Sequence, residues 1–559
     1  MIIKLIKKYW LLVLIVFLAF ALRVYKLADY PAGITWDEPA LGYNAYSILE
    51  TGRDEYGKFL PLTFKSFGDD KPGIFIYYLV PSIAIFGLTE FAIRFPSALA
   101  GVGTVIAIFF LTKMIFAEKK KHRFLPYIAS FLLAISPWSI NFSRGAWEAN
   151  LALFTIVLSV IFLLKIIETK KLKFFLFSFL SLVISFGVYH GAKVFLIVFL
   201  AGALVIYWSD LTKLAKRKKR IGLILLVLLL LPLFLSFKGS ARRAQVTNIF
   251  SYTRSDEEVA KIISQEEFLP ELKLALYHSE ALSKLRWIAD RYFNHLSGRF
   301  LFFEGDWQSP RHSTPYMGMI YYIEIPFLIA GLGYVIAKKK GKEKKLLLWW
   351  LFSGPIPAAI TRDAVHGLRS YWMVIPIVIF TAIGIEAVFS WLKKRSSKFW
   401  LGGVIVLIIG YLFCFALYFD LYYVNFPRKN SDGWNYGMER AASIIEEGKE
   451  KYKRVIVTQK YGQPYIFYLF YTKYPPEKYQ PQAYLKENPW GDVGIVENID
   501  NIEFRSIYWP EDRTCQNCLF IGNEFDLPIG DILQTSGARV LEEIHFLDGR
   551  LAFRVVETQ

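Results

Sequence analysis

The sequence predicts a polytopic α-helical membrane protein that ends in a small α/β domain. Three observations carry this. The 559 residues are 54% hydrophobic and 17% aromatic, more apolar than a soluble enzyme of this length. Apolar runs near the spanning length of roughly 17–25 residues recur along the chain. Short Lys/Arg blocks fall between those runs, as the positive-inside rule expects. This placement accounts for the net charge of +18 and excludes nucleic acid, the partner such a charge first suggests.

With the basic blocks at 4–8, 118–123, 165–173, 213–220, 338–345 and 393–398 set in the cytoplasm, spans fall near 9–27, 96–116, 125–139, 151–167, 174–188, 194–210, 221–237, 319–337, 346–360, 370–391 and 399–424. Eleven crossings put the N-terminus inside and the C-terminus outside, in a plasma membrane. The basic start followed by an apolar stretch reads as a retained first helix, because no small-x-small cleavage site follows it. The apolar run 73–88 does not fit the count, since a crossing there would put block 118–123 outside. It reads as a helix lying in the outer leaflet. The expected organisation is a membrane domain, 1–424, with outer loops 28–95 and 238–318, and an extracytoplasmic α/β domain, 425–559. In the latter a helix is expected at Met438–Gly448, strands at 454–458 and at Cys518–Gly522, an amphipathic segment at Pro464–Tyr471 and a hairpin around Asp548-Gly549.

This topology places every polar cluster with chemical potential on the outer face: Trp36-Asp37-Glu38, Asp69-Asp70-Lys71-Pro72, Arg94, Arg144 to Glu148, His190, Arg311-His312 and Arg362 to Arg369. Charges at a membrane are costly to retain for packing alone, so their shared side points to one site. Asp37 and Glu38 can serve as a base and its support, against the alternative of a solvated acidic loop. Lys71 is a point-charge partner for phosphate, against the alternative of a snorkelling lysine, and Pro72 suits the first turn of a helix. Arg94, Arg144, Arg369, Asp70, Glu148, His190, His312 and His366 complete a composition that suits an anionic, phosphate-bearing substrate. Asp363 and His366 are spaced i, i+3, yet no HExxH-like motif appears, so no metal or other cofactor is expected to be required. Cys515 and Cys518 form a lone CxxC, either a local disulfide or half of a metal site.

The DE pair after the first span, the acidic-Lys-Pro motif Asp70-Lys71-Pro72, and Arg94-Phe95-Pro96-Ser97-Ala98-Leu99 resemble the polyprenyl-phosphate-dependent glycosyltransferases of the GT-C fold. The bacterial protein-O-mannosyltransferase branch, related to the lipid A aminoarabinose transferases, is the most similar. Ser136-Pro137-Trp138 with Ser143-Arg144 and Glu148, Phe302-Phe303-Glu304-Gly305-Asp306 with His312, and Ile325-Pro326-Phe327 extend the likeness over residues 10–390. The resemblance implies a sugar donor on a polyprenyl phosphate, a hexose such as mannose or a pentose. The acceptor would be a protein hydroxyl, a glycan or a glycolipid, and displacement would invert the anomeric carbon without a metal. Asp37 would match the base and Glu38 would orient the substrate. Lys71, Arg94 and Arg369 would hold the leaving phosphate. Yeast-type relatives carry an inserted soluble domain where this chain has about eighty residues, 238–318, which bears against a protein acceptor. The alternatives are a flippase for lipid-linked sugars, which should show mid-bilayer polar residues and inverted repeats, and a surface-polysaccharide polymerase or ligase, which should lack the DE and Lys-Pro motifs.

Overall fold

The computed structural model describes residues 8–116, 122–217, 279–338, 341–487 and 493–559, with isolated positions between 261 and 277. The expected span 221–237, the loop from 238 to 278 (apart from those positions) and most of block 118–123 lie outside the described residues. Among the described residues, five helices are long and apolar enough to cross a membrane, or six if one bent pair counts as a span. Shorter apolar helices lie at Trp10–Val24, Ile74–Phe86, Lys173–Val188 and Tyr322–Ala337.

The first helices are α1 (Trp10–Val24), α2 (Asp37–Thr51), α3 (Ile74–Phe86) and α4 (Glu90–Phe116). Between α2 and α3 a hairpin pairs β1 (Thr63–Ser66) with β2 (Asp69–Pro72). Pro72, expected in the first turn of the helix, therefore ends a strand instead. Phe67 and Gly68 both take positive φ in a two-residue turn whose twist suits antiparallel strands, and the helix waits until Ile74. Its thirteen residues rise about 20 Å, short of the roughly 30 Å hydrocarbon core.

α5 (Leu125–Ile135) and α6 (Pro137–Ser143) meet at a 57° bend. Pro137 has no N–H and holds Ser136 extended, which ends α5. Its final carbonyls need new donors. Arg23, fully buried on α1, donates to Ala134 O at 3.0 Å and Leu133 O at 3.2 Å, and Tyr321 donates its hydroxyl to Ile135 O at 2.8 Å. Then come α7 (Glu148–Thr169), α8 (Leu172–Val188), α9 (His190–Arg217), α10 (Glu280–Asn294), α11 (Ile325–Lys338), α12 (Lys342–Ser353), α13 (Val374–Arg395) and α14 (Ser397–Asp420). α12 has twelve residues where a span over 346–360 is expected, because it stops before Gly354-Pro355. Helices α11 and α13 touch backbone to backbone: a Cβ on Gly331 would lie 1.8 Å from Phe380 O, and one on Gly384 1.8 Å from Phe327 O.

Towards the C-terminus, β3 (Arg454–Val457), β4 (Asn498–Ile499), β5 (Ile502–Phe504), β6 (Cys518–Gly522), β7 (Ala538–His545) and β8 (Leu551–Thr558) form one sheet of order β4-β5-β3-β6-β8-β7. β3 lies parallel to β5 and β6, and the other pairs are antiparallel. The period of two divides its faces. Val455 and Val457 join the large core, and Ile456 joins a small outer cluster with Trp509, Phe520 and Val556. Helices α15 (Met438–Gly448) and α16 (Pro464–Tyr471) share the core of the inner face, with Gly448 of α15 against Leu519 of β6. α16 reads PYIFYLFY and is buried almost throughout, because it lies between α15 and α2. One continuous core thus runs from the membrane helices into this region.

Candidate active site

Asp37 and Glu38 occupy the first turn of α2, where carboxylates oppose the positive end of the helix dipole. Their side chains diverge. Glu38 is buried and reaches back to accept from Thr35 N at 3.1 Å, one half of a capping box. It also accepts from Ala146 N at 3.0 Å and from Arg94 Nε at 3.0 Å and Nη2 at 3.2 Å. Asp37 stays about a third exposed and contacts Lys71 Nζ through Oδ1. Lys71 projects from β2 and is buried, with its ammonium 6.0 Å from the Phe67 ring centroid. His190 Nε2 meets Asp70 O at 2.7 Å and so fixes the hairpin beside Lys71, while the Asp70 side chain stays exposed.

Arg94 and Arg144, expected at the substrate, belong to the framework instead. Both are fully buried. Beyond Glu38, Arg94 donates to the carbonyls of Leu27, Ala28, Pro31 and Gly33, so each of its nitrogens is engaged by the protein. Arg144 donates to the carbonyls of Leu22, Lys26 and Tyr30 and to the Tyr422 hydroxyl. The two guanidiniums brace the loop that delivers Trp36-Asp37-Glu38. A carbonyl-rich turn at the end of an apolar helix needs donors, and arginine supplies five in a planar fork. Glu38, expected to orient substrate, likewise has its oxygens occupied by protein donors and positions the loop.

A second cluster joins this one through Arg311, whose guanidinium lies 5.3 Å from the Trp36 ring centroid. His312 Nδ1 meets Asp306 Oδ2 at 2.8 Å, and the His312 ring lies 4.6 Å from His366 and 5.5 Å from Trp147. Trp147 precedes Glu148, the first residue of α7. His366 Nδ1 accepts from Arg369 N at 3.2 Å. Burial and the neighbouring Arg369 charge hold His366 well below the usual imidazole range, so it is neutral. Arg369 Nη1 donates at 2.8 Å to both Asp363 and Thr361.

Ligand atoms of Asp306, His312 and His366 fall within 4.8 Å of one another, a spacing that would accept a transition-metal ion. The donor set does not fit a metal well. Asp306 already accepts from His312, Gly367 N, Gln308 N and Ser309 N, which uses the roughly four lone-pair positions of a carboxylate. The cluster is satisfied as a hydrogen-bond network that fixes the His312 tautomer.

Asp306, quoted beside His312 only as part of the likeness, orients it. Other contributors were not expected. Gly462, at φ +106°, lies flat on Trp36, and a Cβ there would sit 2.6 Å from the indole. Asn435 donates to Ile34 O at 3.1 Å, and the Gln480 amide donates to Ser47, Thr51 and Asp54 O. The C-terminal region therefore clamps the loop that bears Asp37. A Thr35-x-x-Glu38 capping pattern would have signalled the start of α2 but was not read; the clamp contacts join residues about 400 positions apart and leave no local pattern. Cys515 and Cys518 are bonded to each other.

The profile of the dolichyl-phosphate-mannose-protein mannosyltransferase family matches residues 70–236. Two proteins of Bacillus subtilis, the putative mannosyltransferases YycA and YkcB, are 26% identical over 182 residues and 27% identical over 168 residues. The matched stretches cover 33% and 30% of this chain, and only 25% and 22% of those relatives. Among solved structures, ArnT from Cupriavidus metallidurans bound to undecaprenyl phosphate superposes with a TM-score of 0.52 at 11% identity, covering 98% of both chains. The apo Archaeoglobus fulgidus oligosaccharyltransferase gives 0.51 at 14% identity, covering 83% of this chain and 64% of its own. The chain is a membrane protein with the GT-C glycosyltransferase fold.

Proposed function

We propose that the protein transfers a sugar from a polyprenyl phosphate to a hydroxyl or amine acceptor on the extracytoplasmic face, by inverting displacement. The observation that carries this reading is the contact between Asp37 and Lys71, a carboxylate at a helix N-terminus held by a buried lysine. In the resting site each neutralises the other. A donor phosphate brought to Lys71 competes for the ammonium and releases the carboxylate. Asp37 then takes the acceptor proton, the acceptor atom bonds to the anomeric carbon, and the bond from that carbon to the phosphate oxygen breaks. The electron pair leaves with the lipid phosphate, where Lys71 and Arg369 stabilise the growing charge. Glu38, Arg94 and Arg144 keep Asp37 in place without touching substrate.

Several findings support this reading. ArnT, whose fold this chain shares over nearly its whole length, binds undecaprenyl phosphate, and the matched family is named for dolichyl-phosphate-mannose. The Cys515–Cys518 disulfide suits a C-terminal region on the oxidising side of the membrane. The test is sugar transfer in proteoliposomes from a panel of undecaprenyl-phosphate sugars, with wild type and Asp37→Asn in parallel. Transfer by wild type alone is expected; no transfer from any donor, or equal transfer by the variant, would overturn the reading.

A further inference from the structure

At the end of α13 remote from Asp37, a cavity of about 400 Å³ opens between α11, α13 and the turn before α5. Its lining includes His122, Tyr334, Glu386, Ser390, Trp391 and Lys394. The proposed chemistry does not use this cavity. Glu386 lies 12 residues beyond Val374, where α13 begins, about 18 Å along the helix.

The polar groups here are ordered. Glu386, Ser390 and Lys394 recur every fourth residue and therefore share one face of α13. The stripe begins at the basic end of the helix, where Lys393, Lys394 and Arg395 form the last turn, and runs inward by about 12 Å. At its deep end Glu386 Oε2 contacts His122 Nδ1, with both side chains roughly 85% buried. Lys394, exposed, lines the cavity one turn beyond Ser390. The other walls are apolar, Ala330, Ile383, Ala387 and Val388. Trp391, more than half exposed, stands at the rim at the depth interfacial tryptophans favour. Ionisable groups inside a membrane are expensive and mark binding or transport sites. A cavity open beside them, with acid deep and base shallow, has the polarity of a dipolar head group.

We propose that this cavity binds a phospholipid from the leaflet opposite Asp37, one whose head group carries a primary ammonium and a phosphate. The ammonium meets Glu386 and the phosphate lies between His122 and Lys394, with the acyl chains along the apolar walls. A quaternary ammonium cannot donate a hydrogen bond to the carboxylate, and a glycerol head group carries no positive charge to place there.

Native mass spectrometry of the full-length protein, titrated with phosphatidylethanolamine, phosphatidylcholine and phosphatidylglycerol of identical acyl chains, tests this. One retained phosphatidylethanolamine with at least a ten-fold preference over the other two is expected. Glu386→Gln should abolish the preference over phosphatidylglycerol, and Ser390→Trp, which fills the cavity, should abolish it over both. Asp37→Asn should leave it intact. Equal retention of the three lipids by wild type would overturn the proposal without any variant, as would an unchanged preference in Ser390→Trp. Glycerophosphoethanolamine, the head group without acyl chains, should bind at least ten-fold more weakly; equal binding would assign the cavity to a soluble ligand and overturn the lipid. The readout is retention, so it stands apart from sugar transfer.

Discussion

Asp37 and Lys71 are held in contact across two different elements, the first turn of a helix and the second strand of a hairpin 34 residues later. Each limits what the other can do until a competing charge arrives. Removing the carboxylate charge alone should therefore separate binding from chemistry. Asp37→Asn is expected to lower turnover by about 10²- to 10⁴-fold, the usual contribution of a positioned base, with donor affinity maintained because Lys71 then has no competing anion at that position. Lys71→Ala should raise the donor KM more than the acceptor KM. Initial-rate kinetics with both substrates varied would check this, and equal losses of donor affinity in the two variants would contradict it.

Arg94 and Glu38 form a buried ion pair, 0% and 3% exposed at their side chains. Removing one partner from such a pair leaves an uncompensated charge and costs about 3–5 kcal/mol. Arg94→Ala should lower thermal stability sharply, and Arg94→Ala combined with Glu38→Gln should lose less than the sum of the two single changes. Thermal unfolding in a double-mutant cycle measures that coupling. The donor KM of whatever folds should change little; a large rise would return Arg94 to the phosphate.

The apolar helices and several strands were legible for a physical reason: apolar length and alternating faces are local properties, and they locate elements without tertiary information. Asp37 meets Lys71, while His312, His366 and Arg369 form a second cluster whose neighbour Arg311 lies over the Trp36 ring. What local reading could not distinguish was an arginine that binds substrate from one that binds carbonyls. Arg94 and Arg144 sit at helix ends next to apolar runs, which is also where a phosphate site would place them. Only the loop carbonyls that converge on them decide the matter. Arg23 poses the same problem inside an apparently ordinary first span. The Asp69–Pro72 strand was missed because its turn uses Phe67 at positive φ, a position where glycine or asparagine would have been the signal.

Gly462→Ala tests the clamp from the C-terminal region. The new methyl would meet Trp36 at 2.6 Å from a backbone at φ +106°, so either the indole or the turn must move, and Asp37 follows Trp36 directly. Overpacking of this kind costs about 1–3 kcal/mol. Turnover is expected to fall by ten-fold or more. Gly549→Ala is the control: its φ is +91° but nothing lies within 4 Å, so it carries backbone strain alone and should leave turnover unchanged. Equal effects of the two substitutions would mean that the clamp does not position the base.

Glu55 makes stability depend on pH in an unusual direction. It is fully buried, accepts from Asn44 at 2.9 Å and from the Tyr465 hydroxyl at 3.4 Å, and thereby links α2 to α16. Burial, with a smaller contribution from Asp54, raises its carboxyl to about 8 against an ordinary 4.5. Between those values the folded state holds a proton that the unfolded state has released, so stability falls as pH rises through this window, by at most about 1.4 kcal/mol per pH unit. The loss is complete once the pH passes the folded value near 8. Thermal unfolding of wild type should therefore move to lower temperature from pH 6 to pH 8.5. Glu55→Gln keeps the shape, cannot ionise and should flatten that slope; a slope unchanged by the substitution would assign it to other groups and leave Glu55 outside the coupling between the two helices.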